Sequence, residues 1–277
     1  MRNWPLLAAL AAALPTFWAC QALGPRPAPE TARREKDSAA YLAHPLAVGQ
    51  LVFHADFLLP ENHRLLGELV AEREAIVARL RLPPSATPIH VHLFADEMAY
   101  RRHVSREYPG FPERRAIFVE SEGRLAIYAH WNDAIAEDLR HEVAHGYLHA
   151  SVPSIPLWLD EGLAEYFEVS RGRNGVHRTH VDHLASQLAA GGWRPDLRRL
   201  EQLATAEQMT QLDYAEAWLW VHFALHSTEG AAGALIDYLA ALRLPNGTAA
   251  APLSQRVDQL LSEPRAGVVA HLRTLSQ

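Results

Sequence analysis

Two histidines, His141 and His145, enclose Glu142-Val143-Ala144, and sixteen residues after His145 stands Glu161. Side chains four apart on an α-helix share one face about 6 Å apart, so two imidazoles at this spacing can reach one cation while Glu142 reaches its water. A carboxylate from a second helix, Glu161, completes a set of three protein ligands, the number that leaves a fourth position open on a hydrolytic zinc. One Zn2+ ion held by His141, His145 and Glu161 is the expectation. Water on such an ion becomes acidic near neutral pH, and Glu142 is the side chain to take its proton and pass it to a leaving amine.

The surrounding residues have to make that set reachable. Pro153 and Pro156 disfavour continuation of the first helix, so a turn can bring the second helix and Glu161 back toward the histidines. Glu165, one turn beyond Glu161, is expected to accept the other N–H of a liganding imidazole. Asp160 and Glu168 are read as exposed acids. His149 extends the row from His141 and His145, but at a rise of 1.5 Å per residue it stands about 12 Å along the axis from His141, too far to share an ion. His177, His180 and His183 have near-helical spacing; a solvated face is favoured over a second metal site.

The elements carrying these residues follow from periodicity and punctuation. Strands are predicted over about 50–55 and 89–94, with a helix between them over about 61–80 that Pro83-Pro84 terminates. Asp96 is placed to cap a helix reaching about Val104. Residues 116–120 and 124–129, separated by Ser121-Glu122-Gly123, form a predicted β-hairpin. From Asp133 the chain reads as helical: about 133–150, 157–169, 178–190, 196–206, 211–227, 230–242 and 254–274. The fold class is α+β, a small mixed sheet with an edge strand followed by a mostly helical C-terminal half that carries the metal site.

Composition sets the outer bounds. The 277 residues are 49% hydrophobic, ample for a core, and the formal net charge is -6 with the 26 Lys and Arg spread along the chain; nucleic acid is not an expected partner. Residues 1–20 carry Arg2, an apolar run from Trp4 to Ala19 and the only cysteine, Cys20. That outline is a secretory leader, with Cys20 a candidate for lipid attachment. A lone cysteine allows no intramolecular disulfide. Residues 21–43 are a Pro-, Ala- and charge-rich tether, which leaves 44–277 as the catalytic domain. Membrane contact is expected only through the possible N-terminal lipid anchor, in a secreted or cell-envelope setting; oligomeric state is left open.

The segment Trp158-Leu159-Asp160-Glu161-Gly162-Leu163-Ala164-Glu165-Tyr166 resembles the one that follows the HExxH motif in gluzincin metallopeptidases, and the match is nearest to their peptidase-MA-like bacterial members. The resemblance implies a zincin-like fold, Glu161 as third zinc ligand, and a peptide or protein substrate paired along an edge strand near 116–129. It also implies that Tyr214, in Tyr214-Ala215-Glu216-Ala217-Trp218, donates to the tetrahedral oxyanion. The Gly-Ala-Met-Glu-Asn segment with which the aminopeptidases of that group hold a free amino end is missing, so a typical aminopeptidase is not expected. The competing reading is a non-enzymatic envelope protein that uses the same fold to bind a peptide or protein partner.

Overall fold

Alternating burial along residues 89–94 organises the molecule: Ile89, Val91 and Leu93 are buried, whereas His90 and His92 stay partly exposed. A computed structural model describes residues 45–111, 113–245 and 250–277; the leader over 1–20, Cys20 and the tether over 21–43 lie outside the described residues. Five strands form one sheet: β1 (Leu46–Val48), β2 (Leu51–Ala55), β3 (Ile89–Phe94), β4 (Ala116–Ser121) and β5 (Arg124–His130). Their order is β1-β2-β3-β5-β4, with β2, β3 and β5 parallel and the outer two strands antiparallel to their neighbours. The fold class is therefore α+β with a mixed sheet, and β4 is an edge strand.

Register places Phe53, Val91, Ile127 and Phe118 in one row across β2, β3, β5 and β4. All four are buried in the main core with the helices, because side chains two apart on a strand share a face. The opposite face carries His54, His92, Tyr128 and Ile117 in register. A smaller cluster of Phe94, Tyr100, Val104, Ile117 and Val119 covers part of that face beneath a helix over Glu97–Glu107.

Helix α1 (Arg64–Leu80) links β2 to β3, and α2 (Glu97–Glu107) follows β3. The side chain of Asp96 accepts from the Ala99 amide at 2.9 Å, the cap expected of it. α1 ends before its prolines, at a C-cap Arg81 with φ 52. The hairpin turn over Glu122 (φ 52) and Gly123 (φ 75) has the two left-handed residues that match the twist of a tight hairpin.

The helical half comprises α3 (Ile135–His149), α4 (Leu157–Phe167), α5 (Arg178–Ala189), a single turn α6 (Leu197–Leu200), α7 (Gln211–His226), α8 (Glu229–Leu242), α9 (Leu253–Leu260) and α10 (Pro264–Leu275). Two expectations are corrected. The predicted helix over 254–274 is two helices, with Pro264 opening the second at its first position, where the missing N–H costs nothing. The helix predicted over 196–206 is only the turn α6 and, separately, a 3₁₀ segment at Ala206–Gln208 capped by Thr205.

α3 lies on the inner face of the sheet. An added Cβ on Gly146 would come 3.0 Å from Ile89 Cγ2, so the glycine after His145 lets the helix settle on β3. Among the described residues no helix is long and apolar enough to cross a membrane.

Candidate metal centre

α3 supplies His141, Glu142 and His145, all buried. Residues 150–156 reverse the chain, and Pro156 is the N-cap of α4, as the proline spacing anticipated. α4 is buried from Trp158 through Phe167, so its acids Asp160, Glu161 and Glu165 all point into protein. Such burial is costly for carboxylates unless cations or donors meet them, and histidines do so here.

His141 Nε2 and His145 Nε2 stand 3.2 Å apart, with Glu161 Oε2 3.6 Å from the first and 3.8 Å from the second. The far sides of both rings face carboxylates: His141 Nδ1 donates to Glu168 Oε2 at 2.8 Å, and His145 Nδ1 lies 3.0 Å from Asp160 Oδ1. With the His141 ring proton on Nδ1 toward Glu168, and that of His145 on the Nδ1 that faces Asp160, the two Nε2 atoms would present lone pairs to a third acceptor, Glu161. Three acceptors converging in a buried space repel one another unless a cation sits among them. Spacings of 3.2–3.8 Å suit atoms surrounding an ion at ordinary zinc–ligand lengths of about 2.0–2.2 Å.

A proton is the alternative cation. Burial opposes charge on His141, but hydrogen bonds to Glu161 and Glu168 outweigh it and push its pKa well above 6.5. Glu142 lies beside the same cluster. Burial raises its pKa while the two histidines pull it back, and its buried Oε2 has no hydrogen-bond partner among the described residues.

His141, His145 and Glu161 are thus brought together as expected, and they can hold a metal ion. Glu165 has a different partner from the one expected. Its Oε2 is 2.8 Å from His180 Nε2, and the carboxylates behind the two metal-facing rings are Glu168 and Asp160. Glu161, Glu165 and Glu168 form one stripe on successive turns; Glu165 in its middle meets His180 on α5, and Glu168 at its end meets His141. Asp160, on the neighbouring flank, faces His145. Both acids read as exposed are in fact buried, Asp160 at 6% and Glu168 at 4% relative exposure.

Two further histidines are recruited. His149 Nε2 is 3.0 Å from Asp160 Oδ2, and its Nδ1 is 2.6 Å from Glu120 Oε2 on β4. Burial disfavours its charge, but the two acids push its pKa up to about 10. The β4 residue Phe118 also packs on His145 and His149, with ring centroids 5.9 and 5.0 Å away. The edge strand is in this way fastened to the helix that bears the site. His177 is the N-cap of α5 and, like His183, is partly exposed, while His180 is buried; the trio therefore does not form the solvated face expected of it.

Tyr214 is buried on α7, which packs closely on α4. A Cβ on Gly162 would lie 2.7 Å from the Ala217 carbonyl oxygen, so the residue after Glu161 must be glycine for α7 to come this near. Glu168, Asp160, His149 and His177 were missed as partners of the site. The available signal was the stripe Glu161, Glu165, Glu168 at helical spacing, which offered three acids without saying which histidine each would meet. The chain matches no protein-family model, and no curated protein matches it.

Proposed function

We propose that this chain is a zinc-dependent metallopeptidase of gluzincin type that hydrolyses peptide bonds in a peptide or protein substrate. The observation that carries the reading is the convergence of His141 Nε2, His145 Nε2 and Glu161 Oε2 at 3.2–3.8 Å beside the buried Glu142. A zinc ion bound by these three atoms would supply Lewis acidity for water and for the scissile carbonyl.

Glu142 removes a proton from water and returns it to the departing amine. Its burial raises its proton affinity, which suits a base that must hold the proton between the two steps. The hydroxyl of Tyr214 steadies the developing oxyanion. An extended substrate adds to the sheet along β4, which is an edge and is tied to the site by Glu120 and His149; backbone pairing of this kind reads little sequence. The leader and Cys20 make a bacterial envelope or secreted setting the working assignment, with attachment to a membrane through lipid on Cys20.

Glu142→Gln tests the reading, because it keeps the ligands and removes the base. The variant should bind zinc as the wild type does and lose about 10²–10⁴-fold in turnover of an unfolded protein. Undiminished cleavage would overturn the peptidase assignment. Stoichiometric zinc with no cleavage by the wild-type chain would favour the peptide-binding alternative.

A further inference from the structure

We infer that His177 is a positioning residue for the metal-facing ring of His141, acting through Glu168. The inference rests on the metal-site reading of His141 and goes beyond it.

His177 Nδ1 accepts from the backbone N–H of His180 at 3.3 Å, the N-cap bond of α5. A ring nitrogen that accepts carries a lone pair, so this network assigns the proton of the neutral ring to Nε2. Nε2 then donates to Glu168 Oε1 at 2.9 Å. The other oxygen of the same buried carboxylate accepts from His141 Nδ1 at 2.8 Å. Glu168 is therefore gripped by two N–H donors, one per oxygen, and its main-chain carbonyl accepts from Arg140 Nε. A carboxylate so restrained can face His141 in one orientation only, which directs His141 Nε2 toward Glu161 and His145.

The ring of His177 is itself held. It stacks on His180 with centroids 3.8 Å apart and planes 17° apart, and His180 is fixed by Glu165. The same proton assignment argues against a second ion among Glu165, His177 and His180, although possible ligand atoms of all three lie within 4.8 Å of one another. His177 Nε2 bears hydrogen rather than a lone pair, and the contacts of 2.8 and 2.9 Å are hydrogen-bond lengths. Glu165, His177 and His180 thus form a hydrogen-bonded buttress.

Two kinds of substitution separate the grip on Glu168 from the helix cap. His177→Ser and His177→Asn keep a capping side chain but cannot reach Glu168 as the imidazole does; His177→Gln keeps a long N–H donor and caps poorly. Zinc affinity is measured by competition with a chelator, with folding of each metal-free variant checked by denaturation. The Ser and Asn variants should bind zinc about 10-fold more weakly or worse, and the Gln variant should keep wild-type affinity. Added to Glu168→Gln, His177→Ser should weaken binding no further.

Wild-type affinity in the Ser and Asn variants would overturn the inference, as would weaker binding in the Gln variant alone or an additive loss with Glu168→Gln. Absence of zinc binding by the wild-type chain would instead remove the metal-site reading, and this inference with it.

Discussion

Gly162 and Ala217 bring α4 and α7 closer than any side chain would permit: a Cβ at position 162 falls 2.7 Å from the Ala217 carbonyl oxygen and 3.0 Å from Val221 Cγ2. The first obstacle is backbone and cannot swing aside. Gly162→Ala should therefore destabilise the fold by about 1–3 kcal/mol or more, seen as a lower urea midpoint, and should weaken metal binding because Glu161 is the adjacent residue. Gly67 in α1 provides the opposite case. Nothing lies within 4 Å of its added Cβ, so Gly67→Ala should stabilise by about 0.5–1 kcal/mol through helix propensity. Equal effects of the two substitutions would contradict the packing described.

Acid should release the metal. In the metal-free chain the pKa of His141 is raised well above 6.5, so its ring is charged through the neutral range, whereas a ligand imidazole must be neutral. Binding then expels a proton, and affinity should rise about tenfold per pH unit for one proton below that raised pKa. Zinc titrations in buffers of different ionisation enthalpy measure the released proton directly. Affinity independent of pH would show that His141 does not exchange its proton for the ion.

Alkali should loosen the grip of α3 on β4 and α4. His149, between Asp160 and Glu120, has its pKa raised from 6.5 to about 10. A raised pKa contributes stability that is complete below 6.5 and disappears as pH climbs through about 10. Urea unfolding of the metal-free chain should show stability falling over that window. In His149→Gln the slope should flatten, with a loss of about 3–5 kcal/mol near neutral pH because Asp160 and Glu120 keep their charges without the cation. Parallel slopes for the two proteins would place the alkaline transition elsewhere.

Much of this architecture was legible in the chain itself, for local reasons. Strand β3, the Asp96 cap, the left-handed turn at Glu122-Gly123 and the pairing of His141 with His145 each depend on residues a few positions apart. Glu161 was legible because Pro153 and Pro156 announce a turn that can return a second helix toward the histidines, and because the segment around it resembles that of the gluzincins. The carboxylates behind the histidines were not. Glu165 and Glu168 share a stripe, and only the tilt of α4 against α3 decides that Glu168 meets His141 while Glu165 meets His180. Asp160 looked solvent-facing because an acid beside a ligand has no local mark of burial; in the fold it faces His145 and His149 of α3 and is buried. His177 was hidden by its regular spacing with His180 and His183, which suggests a helix face although His177 is the cap before the helix begins.

The central claim is that His141, His145 and Glu161 hold one ion. Zinc binding to the purified chain, compared with Glu161→Gln and Glu165→Gln, tests it most directly. One tightly bound ion per chain is predicted for the wild type, with affinity severely reduced in Glu161→Gln and far less affected in Glu165→Gln, whose carboxylate serves His180. No binding by the wild type, or a loss of affinity confined to Glu165→Gln, would contradict it.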